Sequence, residues 1–227
     1  MKKILFYLAI FTVVFGVFSQ ETFAQEESKD QLSPEEEKEI RENFTELGIS
    51  DEDQKHLIEK LNNGQAIDSM KEKNMQKAMA ASQRMLETKQ FGEDQTMTFA
   101  DGSKIEYGHE LVNSADDENV YRASSSLNTA RSYWNVGVLN YQFYTDFSLA
   151  SGNNYIDRSY DYTINVIGGS YSNVSLTVER KYETTTHKAY SRLGFSYSIA
   201  TGTGSPRLYF NVGDNSYDTT LSLSDRK

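Results

Sequence analysis

Cysteine is absent from all 227 residues. That excludes disulfides, thiolate metal sites and cysteine nucleophiles, and leaves any folded part of the chain to be held by its core alone. A surplus of positive charge is missing too: 23 Lys and Arg stand against 33 Asp and Glu, a formal charge of −10. With no basic stripe, neither nucleic acid nor an anionic membrane surface is an expected partner. The deficit is uneven, −8 over residues 25–94 and −3 over residues 95–227, and so divides the chain in two.

Catalytic spacings are scarce. The three histidines, His56, His109 and His187, are far apart in sequence, and neither a HExxH run nor a nucleophile elbow occurs. Asp157 and Asp161, four apart in a strand-like run, are the nearest thing to an acid–base pair, and no cleft is implied around them. Gly202-Thr203-Gly204 lacks the lysine and the strand–helix setting of a phosphate loop and reads as a turn. Asp116, Asp117 and Glu118 lack the ligand spacing of a calcium loop and read as a solvated linker. No catalytic residue, metal or cofactor is therefore expected.

Long apolar runs are limited to one. Ile4 to Phe18 is free of charge, follows Lys2 and Lys3, and precedes small residues at Thr22 and Ala24. Its 15 residues are short of the roughly 20 that span a bilayer. The pattern is that of a signal peptide over residues 1–24, cut between Ala24 and Gln25. The end of the chain, Leu221 to Lys227, carries neither a sorting motif nor an apolar tail. A secreted, extracellular protein with no membrane anchor after cleavage is expected.

What is present begins, after a polar lead at residues 25–32 read as disordered, with helix signals. Ser33-Pro34-Glu35-Glu36 combines an N-cap, a proline at the first helical position and a capping-box glutamate. Ile40, Phe44 and Leu47 follow at helical spacing, and Gly48 stops the run. Ser50-Asp51-Glu52-Asp53 starts a second helix with the stripe Leu57, Ile58 and Leu61, ended by Asn62-Asn63-Gly64. Ile67 to Leu86 is helix-prone but thinly apolar, and residues 33–94 together form a helical segment and linker. The methionines there, Met70, Met75, Met79 and Met85, read as filler before they read as a partner surface.

Residues 95–112 switch to period two and form a β-hairpin around Asp101-Gly102. From residue 121 the chain is rich in Tyr, Ser, Thr and Asn, holding the lone tryptophan. Tyr133 to Leu149 reads as one strand with apolar odd positions. Runs at Tyr155–Ile167, Tyr171–Tyr182, Ala189–Ala200, Arg207–Val212 and Tyr217–Leu223 follow, punctuated by Gly168-Gly169, residues 202–206 and Gly213-Asp214-Asn215. One apolar face per strand predicts a mainly β fold, an antiparallel β-sandwich over residues 121–227 with a small β-barrel as the alternative.

If those apolar faces point inward, the outer faces carry Trp134, Tyr144, Tyr190 and Tyr209, with Arg192 and Arg207 beside them. Rigid aromatics with polar tips bind proteins and sugars, though sheets favour tyrosine on either face. These six are the expected binding residues.

The helical lead around Leu57-Ile58-Glu59-Lys60-Leu61, the hairpin Phe99-Ala100-Asp101-Gly102-Ser103, the opening Ala130-Arg131-Ser132-Tyr133-Trp134 and the strand Tyr160-Asp161-Tyr162 resemble a group of small secreted proteins of unknown function from Gram-positive bacteria. The resemblance implies the helix-plus-sandwich layout and the export, and no activity. The expectation is an exported, non-enzymatic binding or interaction protein whose partner is a protein or a glycan. The alternatives are a secreted toxin or bacteriocin-like effector and an enzyme on cell-wall or extracellular glycans.

Overall fold

The computed structural model describes residues 31–88, 94–112, 127–150 and 153–223. The expected signal peptide, most of the expected lead and the expected acidic linker before residue 121 lie outside them.

Helix α1 (Pro34–Glu46) starts as its capping box dictates: Glu36 N–H donates to Ser33 Oγ at 3.3 Å, and Ser33 N–H donates to Glu36 Oε2 at 2.7 Å. Gly48 ends it in the left-handed region at φ 63°. Helix α2 (Asp51–Asn62) is capped by Ser50, whose hydroxyl accepts from Asp53 N–H, and Gly64 closes it at φ 67°. A single 3₁₀ turn, Asp68–Met70, leads into α3 (Glu72–Thr88).

Among the described residues ten strands follow, in two antiparallel sheets. The first sheet runs β1 (Asp94–Thr98), β2 (Lys104–Leu111), β3 (Asn128–Asn135), β4 (Leu139–Ser148), β5 (Tyr155–Val166), each paired with the next. The second has the order β10 (Ser216–Ser222), β9 (Arg207–Gly213), β7 (Ala189–Ile199), β6 (Gly169–Arg180), with β8 (Gly202–Gly204) added to β7. The sheets face one another as a sandwich and do not close into a barrel. The hairpin of β1 and β2 is no separate unit, since β2 pairs with β3 along six residues.

Tyr133 to Leu149 is not one strand. It breaks after Asn135, turns through Val136, Gly137 and Val138, and returns as β4. Gly137 has φ 84°, and its N–H is held by Asn135 Oδ1 at 2.8 Å and Asn140 Oδ1 at 3.1 Å. These asparagines supply the turn chemistry that the alternating pattern conceals. Because the chain reverses, even positions of β3 and odd positions of β4 share the inner face. Trp134 therefore stacks between Tyr107 at 5.5 Å and Tyr141 at 6.4 Å, and Tyr141 meets Phe195 of the other sheet at 5.0 Å.

A second departure lies in β5. The β4–β5 register slips between Gln142 and Tyr144, where Asp161 takes φ 48°. The bulge turns Tyr160 outward onto Tyr144, so the expected inner run Tyr160, Tyr162, Ile164 and Val166 is broken, and Ile156 and Ile164 are the buried residues of the strand. The β6–β7 pairing carries a matching slip after Ser172, with Asn173 at φ 54°.

The helices crown one end of the sandwich. Three turns emerge there, at residues 99–103, 136–138 and 167–168. Phe44 packs against Gly137, where an added Cβ would stand 2.3 Å from its ring, and Asn43 Nδ2 donates to Gly137 O at 2.7 Å. At the first turn Asp101 accepts from Lys60 Nζ at 2.6 Å and Asp68 N–H at 2.8 Å, while Ser103 Oγ accepts from Ser69 N–H at 2.9 Å. Burial pulls the Asp101 carboxyl upward, but the hydrogen bonds from Lys60, Ser103 and Asp68 outweigh it and hold the group at about 2. Ile40, Phe44, Leu57 and Ile67 belong to the same continuous core as Trp134 and Phe210, and α3 lies against β10.

Candidate functional site

Pairing registers assign every outward side chain of the first sheet to a row across its strands. The row nearest the crown reads Glu106, Asn135, Asn140, Asn165; the next reads Gly108, Tyr133, Gln142, Thr163. Beyond them come Glu110, Arg131, Tyr144 and Tyr160, and last Thr129, Asp146 and Arg158. Nothing aliphatic appears in any of these rows. A groove of about 780 Å³ runs over the first two and onto the third at Glu110 and Arg131, lined also by Glu46 of α1, Tyr133, Gln142 and Thr163, with Leu111 and, from the other sheet, Tyr217 in its wall.

The crown side of the groove is partly committed to structure. Asn140 and Asn135 hold the Gly137 turn through their carbonyl oxygens, and Asn165 Nδ2 donates to Glu39 Oε1 at 2.6 Å. The middle is open for business of another kind. Gln142 Oε1 accepts from Arg131 Nη1 at 3.1 Å, but among the described residues nothing engages Gln142 Nε2, the Thr163 hydroxyl or Asn135 Nδ2. Arg131 is fixed by Glu110 at 2.8 Å and lies over the Tyr133 ring at 5.0 Å, while its enclosed Nε has no partner. An array of amide and hydroxyl donors beside tyrosine faces suits a polar, ring-shaped ligand.

The far end is built more firmly. Asp146 accepts from Arg158 Nε at 2.6 Å, Thr129 Oγ1 at 2.7 Å and Tyr160 OH at 3.1 Å. Partial burial pushes its carboxyl up, and the donors from Thr129, Arg158 and Tyr160 more than offset that, leaving it below the ordinary aspartate value. Tyr144 and Tyr160 stack at 6.1 Å with their planes 26° apart, and the Arg158 guanidinium lies over Tyr160 at 4.5 Å.

The six expected binding residues divide three ways. Trp134 is a correction: it is 1% exposed and sits between the sheets, because the turn at Gly137 inverts the parity that placed it outside. Tyr144 faces outward on the first sheet, as expected. Tyr190, Arg192, Arg207 and Tyr209 do share the outer face of the second sheet, with the Tyr190 and Tyr209 rings 6.0 Å apart. There, however, Tyr209 is 1% exposed, and the polar groups bind one another. Arg192 pairs with Glu179 at 2.6 Å, Arg180 covers Tyr190 at 5.2 Å, and Asp218 takes Lys188 at 2.8 Å along with Asn211. Arg207 donates to Ser205 O at 2.6 Å. Around β9 and β10 the polar groups of this face are thus engaged largely with one another, whereas a smaller groove opens farther along it between Ser170, Ser172, Ser196 and Ser198.

No family model matches the chain, and no curated protein matches it. Among solved structures it is similar to a hypothetical protein, lmo2686, from Listeria monocytogenes EGD-e. The identity is 18% and the TM-score 0.34, over 57% of this chain and 98% of the other. A likeness this distant carries no argument about the site.

The remaining chemistry is thin. Asp157 is paired with Lys181 at 3.3 Å and Asp161 stands exposed in the bulge, so the two do not form a cleft. His109 is drawn inward against Tyr217 at 4.9 Å, and His187 Nδ1 bonds the Thr186 hydroxyl at 2.7 Å. Among the described residues no group of His, Asp and Glu is arranged to hold a metal, and no helix is long and apolar enough to cross a membrane.

Proposed function

We propose that this chain is an exported, non-enzymatic binding module, and that its ligand face is the outer surface of β2 to β5, where it takes a glycan. One observation carries the reading: a polar groove of about 780 Å³ in which Gln142 Nε2 and Thr163 Oγ1 point outward unspent, beside tyrosine rings. Sugar hydroxyls both donate and accept, and amide side chains answer both at once. A protein partner is recognised chiefly through a cluster of desolvated apolar anchors, and the lining of this groove holds a single aliphatic side chain, Leu111, among amide, hydroxyl and charged groups. A hydrolase on the same glycan needs two carboxylates flanking the scissile bond, and among the groove's glutamates Glu110 is already tied to Arg131 at 2.8 Å, which is why a binder is preferred.

Export rests on the charged start, the apolar run and the small residues before Gln25. Intact mass of the protein from culture supernatant checks it, and a mature end other than Gln25 argues against it. For the ligand, the full mature chain on a glycan array is expected to bind, and Gln142→Ala to lose most of that signal with its melting temperature unchanged. An array without binding, or a variant that binds equally well, overturns the assignment of this face.

A further inference from the structure

Resting on that reading, we infer that the ligand is a linear, uncharged oligosaccharide lying along the strands, with Tyr144 as the outermost subsite. The rows themselves set the length. From Asn140 through Gln142 to Tyr144 the outward positions of β4 are successive and unbroken. Two residues of strand advance by about 7 Å, so the three rows span roughly 14 Å, about the length of three linked pyranose rings. The rows also change chemistry along that line. Near the crown they offer amide and hydroxyl groups that orient a ring by its edge. At the far end Tyr144, stacked on Tyr160 with the ring planes 26° apart, has one remaining ring face that suits the face of a sugar ring.

That surface is pre-set before any ligand arrives. Tyr160 is pinned by its hydroxyl to Asp146 and by the Arg158 guanidinium on its ring, so Tyr144 stacks on a fixed neighbour. A rigid subsite loses little freedom on binding. It is reached only because the bulge at Asp161 rotates Tyr160 to the outside, beside Tyr144. The bulge is thus part of the site as well as an irregularity of the strand.

Charge narrows the class. The groove wall carries Glu46, exposed at the last position of α1, together with Glu106 and Glu110. Arg131 answers Glu110, and the Lys104 ammonium is taken up by the carbonyls of Leu47 at 2.9 Å and Gly48 at 2.7 Å. Among the described residues these two cations at the wall are thus already engaged, and a polyanionic glycan would bring its carboxylates against those of Glu46 and Glu110.

Titration calorimetry of the mature protein with β-1,4-linked N-acetylglucosamine and glucose oligomers of increasing length tests the inference. Polygalacturonate serves as the anionic probe. Affinity is expected to climb up to the trisaccharide and then level off, with polygalacturonate silent. Tyr144→Ala should weaken the trisaccharide about tenfold and leave the disaccharide nearly unaffected. A monosaccharide bound as tightly as the longer chains, a Tyr144→Ala profile parallel to the wild type, or tight binding of polygalacturonate overturns this inference while leaving a glycan-binding face intact. Silence toward every glycan on a broad array overturns the face itself.

Discussion

The two outer faces of the sandwich are built from the same residue types and end in opposite states. On the second sheet, around β9 and β10, Tyr209, Asn211, Asp218 and Thr220 are all nearly shut from solvent, and the charged side chains lean on neighbours: Lys188 on Asp218, Arg192 on Glu179, Arg180 on Tyr190. On the first sheet Gln142 and Thr163 keep donors that no described residue uses, and Tyr144 remains partly open. A surface rich in Tyr, Arg and amides is therefore no guide to binding until its hydrogen bonds are assigned. A satisfied polar network stiffens a fold, and an unsatisfied one at a groove is available to a ligand.

Substitutions on both faces and at the crown, together with acid, bear on that contrast, in falling order of effect. Tyr209→Ala should remove a large buried ring from the closed face and cost ~3–5 kcal/mol, as Trp134→Ala should between the sheets. Chemical denaturation of both variants measures it, and a loss under ~1 kcal/mol for Tyr209 would show that its face is open after all. Acid should act next, at the crown. The folded pKa of Asp101, about 2, lies below its unfolded value of 3.8, so its stabilisation is complete above pH 4 and vanishes as pH falls through 2. The loss is roughly 2 kcal/mol, and Asp101→Asn should flatten that part of the pH–stability curve. A wild-type slope unchanged in the variant would remove Asp101 from the docking contact.

Smaller effects belong to the open face. Tyr144→Ala forfeits one stacked pair and should cost about 1 kcal/mol of stability, read from thermal melts. Gln142→Ala should stay within ~0.5 kcal/mol of wild type. If Gln142→Ala proves as destabilising as Tyr209→Ala, the contrast between the faces disappears and with it the case for a ligand on the first sheet.

Much of this architecture is readable from local signals. Ser33 with Glu36, Ser50 with the acids after it, and Gly48 and Gly64 mark both helices because capping is short-range chemistry. The strands from Tyr155 onward fall within a few residues of their observed bounds for the same reason: alternation and glycine turns are local. Parity is not. The turn at Gly137 is written in Asn135 and Asn140, whose side chains hold the turn's N–H groups, but the apolar positions on either side are spaced as in one continuous strand. One missed reversal moves Trp134 from core to surface. The bulge at Asp161 does the same to Tyr160, and only the register with β4 reveals it. Asn140 and Gln142 of the groove, with Tyr144 beyond them, are successive polar alternates of one strand. Nothing local says that they line up with Thr163 and Asn165 two dozen residues on.

The paired irregularities at Asp161 and Asn173 have a consequence for the protein as a population of molecules. β5 and β6 are the long edge strands on one side of the two sheets, twelve residues each, and each edge exposes main-chain groups that a second chain could adopt as a template. A left-handed residue near the middle of each divides that template into pieces too short to recruit a neighbour in register. The interruption thus works against edge-to-edge pairing of one sandwich with the next, the first step toward a fibre.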